Sequence, residues 1–178
     1  DGNKILMTHA ISNILENDDE ALKEKYKDIV PMLKNMEELS NLLRNKRDQR
    51  GCIDFDFDET KLIVDDKGKV TDVIKYERRT SNKIIEEFML AANETVAENY
   101  YWLSLPFVYR IHEEPDEEKI ADFSKFIYNF GYTLKGSQEV HPRELQQLLL
   151  KIKGKKEETV INTMMLRSLR KAVYSHEC

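Results

Sequence analysis

The period of the apolar residues changes once along this chain, and that change constrains its fold more than any other feature. Leu22, Tyr26, Ile29, Leu33 and Met36 step by 4, 3, 4 and 3, with Leu43 further along, which traces one face of a helix. At Ile53, Phe55 and Phe57 the period drops to 2, with Asp54, Asp56 and Asp58 interleaved, as an extended segment with one apolar face requires. Helical spacing then resumes. The pattern predicts an α+β fold, predominantly helical, with a small β-hairpin and short strands set into it.

The boundaries follow from local chemistry. Residues 10–16 suggest a short helix, and Asp18 and Asp19 precede a second. Pro31 removes a backbone N–H, so either a kink or a new helix is expected there. The basic run Arg44–Arg50 ends at Gly51, as helix C-termini prefer. Residues 61–64 and 70–74 flank Asp65-Asp-Lys-Gly-Lys69, a hairpin whose glycine supplies the positive φ. A long helix is expected over about 82–102, with Ile84, Ile85, Phe88, Ala92, Thr95 and Val96 on its buried side. Residues 106–112 look extended. Ile120, Phe123, Ile127 and Phe130 mark an amphipathic helix ending at Gly131. A further helix opens at Pro142 and stops before Gly154, and the last is expected over 157–173.

Length and charge narrow the class. The 178 residues allow one ordinary domain or two very small ones. A net charge of -5 argues against a histone-like arm or a highly basic coat protein. Cys52 and Cys178 form no CxxC motif and are too few for a disulfide framework, which fits a reducing cytoplasm. No apolar run approaches about 18 residues, and no signal peptide opens the chain, so a soluble cytoplasmic protein is expected. Because the chain begins at Asp1, it is expected to be processed or cut from a longer frame.

Several constellations carry possible chemistry. Asp54, Asp56 and Asp58 could offer oxygens to Mg²⁺, but same-face residues stand about 7 Å apart, roughly two strand rises. A solvated strand face is the plainer reading. Asp65-Asp-Lys-Gly lacks the ligand order of a calcium loop. His9, His112, His141 and His176 form no zinc pattern. Arg44, Lys46, Arg47 and Arg50 precede Phe55, and Arg78, Arg79 and Lys83 precede Glu86. Cations beside an aromatic suit single-stranded nucleic acid, with phosphates on the cations and bases on the ring. A basic helix end beside a core phenylalanine explains the same residues. On a helical wheel Glu87, Glu94 and Glu98 cluster as the expected solvent face. Glu86 lies about 100° away, on a flank with Asn82, Asn93, Ala97 and Tyr100.

Four blocks in order resemble the ribonuclease II / ribonuclease R family: Arg47-Asp-Gln-Arg-Gly-Cys-Ile-Asp-Phe-Asp-Phe57, Ile84-Ile-Glu-Glu-Phe-Met-Leu-Ala-Ala-Asn-Glu-Thr-Val-Ala97, Pro106–Pro115 and Met165–Ser175. The resemblance is nearest to the ribonuclease R branch. It implies a hydrolase that degrades single-stranded RNA processively from the 3′ end to nucleoside 5′-monophosphates, with Mg²⁺ activating the water. It also implies that residues 1–178 are one internal segment of a larger, barrel-containing catalytic domain, with no complete second domain. The metal-binding aspartates would lie upstream and the catalytic arginine downstream, so this chain would carry neither catalytic nor metal-binding residues and would be inactive alone. Two RNA-contacting positions carry over, and a third stays open. Phe55 matches an aromatic that stacks on bases, and Glu86 matches a carboxylate that contacts the terminal ribose. Met7-Thr8-His9 stands where the family has Met-Thr-Tyr, so either His9 takes the tyrosine's place or the segment is one residue shorter. A segment severed from its barrel would expose apolar surface and tend to self-associate. The rival class is a non-enzymatic helical interaction module.

Overall fold

The computed structural model describes residues 2–55, 59–76, 78–135 and 140–177. Asp56, Phe57 and Asp58 lie outside the described residues, and so does most of the proposed aspartate triplet. The chain divides into two compact units, Asp1–Lys46 with Asp56–Asn93, and Arg47–Phe55 with Glu94–Cys178.

The first unit contains α1 (Gly2–Glu16), α2 (Glu20–Lys25), most of α3 (Val30–Gln49), the strands β1 (Glu59–Val64) and β2 (Val70–Tyr76), and the first part of α4 (Thr80–Trp102). Asp19 caps α2 by accepting a hydrogen bond from the Leu22 amide at 3.0 Å. Pro31 falls in the first turn of α3, where its missing N–H costs nothing, so a new helix begins rather than a kinked one continuing. The first helix reaches back to Gly2, well beyond the expected 10–16.

β1 and β2 pair antiparallel from Glu59↔Tyr76 inward, with an irregularity between Ile63 and Val64. Asp65 fixes the turn: its carboxylate accepts from the Lys67 and Lys69 amides, both at 2.9 Å, and Gly68 adopts φ 77°. Leu62, Val64, Val70, Val73 and Ile74 of this hairpin are exposed.

The second unit holds the end of α4, β3 (Tyr109–Ile111), α5 (Glu117–Tyr128), α6 (Pro142–Ile152), α7 (Glu158–Ser168) and β4 (Val173–Ser175). Its core is Phe123 and Ile127 from α5, Leu145, Leu148 and Ile152 from α6, and Ile161 and Met165 from α7. These are helix-spaced residues on three short amphipathic helices, each capable of burying only one stripe. Asp116 caps α5 with its carboxylate, and the His141 ring caps α6 by accepting from the Arg143 amide at 3.2 Å. His141 is therefore a structural cap.

The last helix ends at Ser168, short of the expected residue 173. Val173–Ser175 instead forms β4, which pairs antiparallel with β3. The described residues thus form two separate two-stranded antiparallel sheets set among helices. No helix among them is long and apolar enough to cross a membrane.

Candidate nucleic-acid interface

In the first unit the entry to α4 organises the polar residues. Arg79 accepts backbone bonds from Asn82 and Lys83, while its own amide donates to the Asn82 side chain at 3.2 Å. This reciprocal cap fixes the helix start. The Glu16 carboxylate accepts from the Thr80 amide at 2.6 Å, and the Ser12 and Ser81 hydroxyls meet at 2.8 Å, joining α1 to α4. Hydrogen bonding by Thr80 holds the Glu16 carboxyl below its usual range, against the opposing effect of desolvation.

From this anchored start, Arg78 folds back along two turns of the helix to Glu86. Its Nε donates to Oε2 at 3.0 Å, and its Nη2 donates to Oε1 at 2.7 Å and to Oε2 at 2.6 Å. Both side chains are about one-third exposed, 32% and 38%. The neighbouring Arg79 turns the other way, placing Nη1 3.2 Å from the His9 Nδ1. A guanidinium only donates, so Nδ1 must accept, which puts the ring proton on Nε2. Two consecutive arginines thus hold two of the sequence-derived site residues, His9 and Glu86. The sequence leaves these arginines open to phosphate or to a structural role and carries no sign of the pairing, because nothing in spacing distinguishes a phosphate-binding arginine from one that grips a carboxylate eight residues on.

Glu87 corrects the wheel. It is 4% exposed, not on a solvent face, and the Arg44 guanidinium lies 3.6 Å from it. The inward stripe of α4 is Ser81, Ile84 and Glu87. Ile85, Met89 and Val96 are exposed instead, at 51%, 59% and 46%. Ala92 and Thr95 are exposed too, although the spacing had put them inside. An unpaired buried carboxylate would be costly, and α3 supplies the countercharge that lets one sit there.

Phe55 belongs to the second unit. It and Ile53 pack, partly buried, against the α5–α7 core. Side chains of α6 secure the approach to this segment: Arg143 donates to the Gln49 carbonyl at 2.8 Å and Gln146 to the Asp48 carbonyl at 2.9 Å. Gly51 has φ 93°, and a Cβ there would stand 2.7 Å from the Arg143 Cγ, so both backbone shape and space demand glycine. The arginines before Phe55 have protein partners. Arg47 donates to the Cys52 sulfur at 2.9 Å, and Arg50 makes a forked bond to Glu94 at 3.1 Å on each oxygen.

No group of three His, Cys, Asp or Glu among the described residues converges to hold a metal ion.

The family described as RNB domain matches residues 3–178, and the chain belongs to that family. It is 42% identical to Ribonuclease R 1 of Lactococcus lactis over 95% of its length, and 39% identical to Ribonuclease R of Thermotoga maritima over 97%. It spans 21% and 24% of those two relatives, about a fifth to a quarter of their length. Among solved structures, Mycoplasma genitalium RNase R in complex with ribose methylated single-stranded RNA matches 96% of the chain with TM-score 0.85 at 24% identity, and 26% of that protein is covered. The same protein in complex with double-stranded RNA matches 93% of the chain and 29% of its own length, at TM-score 0.82 and 24% identity. These likenesses establish the fold.

Proposed function

We propose that this chain is the internal, largely helical segment of the catalytic domain of a 3′→5′ exoribonuclease, and that its own residues position single-stranded RNA rather than perform the chemistry. The observation that carries this reading is the continuous match to ribonuclease R relatives over 95% of the chain at 42% identity. In the reaction, water adds to the terminal phosphorus and the bond to the upstream 3′-oxygen breaks, releasing a nucleoside 5′-monophosphate. Mg²⁺ would be held outside this chain and would supply the activation of that water.

Each residue contributes a separate interaction. The Glu86 carboxylate accepts a hydrogen bond from the terminal ribose 2′-hydroxyl. A carboxylate takes about four such bonds, so the Arg78 fork and a sugar hydroxyl are compatible. The Phe55 ring offers a face to a base. With its tautomer set by Arg79, His9 presents Nε2–H as a donor, as a phenol would. The exposed hairpin residues Leu62, Val64 and Val73 are apolar surface that the rest of the enzyme covers. The 178-residue chain alone is accordingly expected to self-associate, seen as a concentration-dependent rise in mass by light scattering, and to release no nucleotide.

The test uses the full-length enzyme, 5′-labelled single-stranded RNA and Mg²⁺. Stepwise shortening from the 3′ end with mononucleotide release supports the reading, and internal cuts or an intact substrate contradict it. Mononucleotide release by the isolated chain, abolished by Asp56→Ala, would replace it with a self-contained metal hydrolase.

A further inference from the structure

We infer that Arg78 is a positioning residue for Glu86, not a phosphate contact, and so sets the discrimination between ribose and deoxyribose at the substrate's terminal sugar. The inference rests on the reading of Glu86 as the sugar contact.

Arg78 stands on a backbone that is itself fixed, since the next residue is tied into the α4 cap by the Asn82 side chain and by two helical amides. Its guanidinium makes three bonds to Glu86 between 2.6 and 3.0 Å, reaching both carboxylate oxygens. Arginine's planar fork matches a carboxylate in a way a point charge does not. A glutamate otherwise distributes over several rotamers, and ordering it on binding would weaken the contact. The fork does that ordering in advance. The half-buried setting of both side chains keeps the pair from being screened as a fully exposed pair would be.

Two roles for Arg78 predict different readouts. A phosphate contact adds to salt dependence, about 0.7 to the slope of log affinity against log salt for a single strand, and is indifferent to the sugar. A positioning role leaves the slope unchanged and acts only where the 2′-hydroxyl exists. The experiment measures cleavage rate and salt-dependent binding in the full-length enzyme, on matched RNAs ending in a ribose or a 2′-deoxyribose. It compares wild type, Arg78→Ala, Arg78→Lys, Glu86→Ala and the Arg78→Ala/Glu86→Ala double variant.

The inference predicts that each single alanine variant narrows the ribose preference by about ten- to a hundredfold. The double variant is no worse than either single, Arg78→Lys regains part of the preference, and the salt slope stays at the wild-type value. Retained discrimination in Arg78→Ala, a slope reduced by about 0.7, or additive losses in the double variant would overturn it. If wild type ignores the 2′-hydroxyl, or Glu86→Ala changes nothing, the sugar-contact reading falls and takes this inference with it. If Glu86→Ala matters and Arg78→Ala does not, this inference alone falls.

Discussion

Helices α6 and α4 both carry apolar residues along their length, and they spend them differently. In α6, Leu145, Leu148 and Ile152 all point inward, and each is nearly inaccessible to solvent. In α4, Ile84 is buried but Ile85, Met89 and Val96 lie on the surface, while Glu87 is inside. The first buries one apolar stripe to close a core with α5 and α7, and its polar contacts, Arg143 and Gln146 to the Gln49 and Asp48 carbonyls, leave that stripe intact. The second carries a buried carboxylate met by a part-exposed arginine on one side, an arginine-held carboxylate on a flank and apolar residues facing out. An apolar stripe reports the core when the helix has a single buried face and no charge inside it. Where a helix serves a site, charge pairing decides which residue goes in.

The largest test of that contrast is in the packing. Ile127→Ala, at a fully buried position in the α5–α7 core, should destabilise by about 2–5 kcal/mol, whereas Met89→Ala on the exposed side of α4 should stay within about 0.5 kcal/mol. Denaturant midpoints of the two variants check this, and equal losses would show that the Met89 side chain is covered. The next effect belongs to the buried pair. Glu87→Ala removes a desolvated acceptor and leaves the Arg44 guanidinium without it, so a cost of about 1–3 kcal/mol is expected. A change within the surface range would return Glu87 to the solvent face that the wheel assigned.

The smallest effect concerns acid. Glu16 has its carboxyl lowered by Thr80, so its contribution to stability is present above the ordinary carboxyl value near 4.5 and is lost as pH falls through the lowered one. The side chain is largely exposed, so the loss is slight. Comparing acid titrations of wild type and Glu16→Gln isolates it: the variant should show a flatter decline below pH 4.5, and an identical decline would remove Glu16 from the account.

The parts of the fold visible in the sequence are those set by local chemistry. Pro31 and Pro142 begin helices, Asp65 with Gly68 shapes the turn, and the stripe Ile120, Phe123 and Ile127 finds the core. The parts that were hidden depend on partners distant in sequence. β4 at Val173–Ser175 looks like a helix end until Tyr109–Ile111 is beside it. Glu87 reads as a surface residue until Arg44 from another helix is beside it. Phe55, Glu86 and His9 are candidates named by family resemblance, with the wheel position of Glu86 as an added hint. What holds Glu86 and His9 was invisible, because Arg78 and Arg79 have the same local composition whether they face phosphate, carboxylate or imidazole.

The central proposal is that adjacent glutamates do different work, Glu86 reading the sugar and Glu87 holding the helix. The direct measurement is the ratio of cleavage rates on RNA ending in ribose and in 2′-deoxyribose, for the full-length enzyme and its Glu86→Ala and Glu87→Ala variants. The account predicts that Glu86→Ala lowers the ratio by about ten- to a hundredfold, while Glu87→Ala lowers the thermal midpoint and leaves the ratio at its wild-type value. A ratio that falls with Glu87→Ala and not with Glu86→Ala would contradict it.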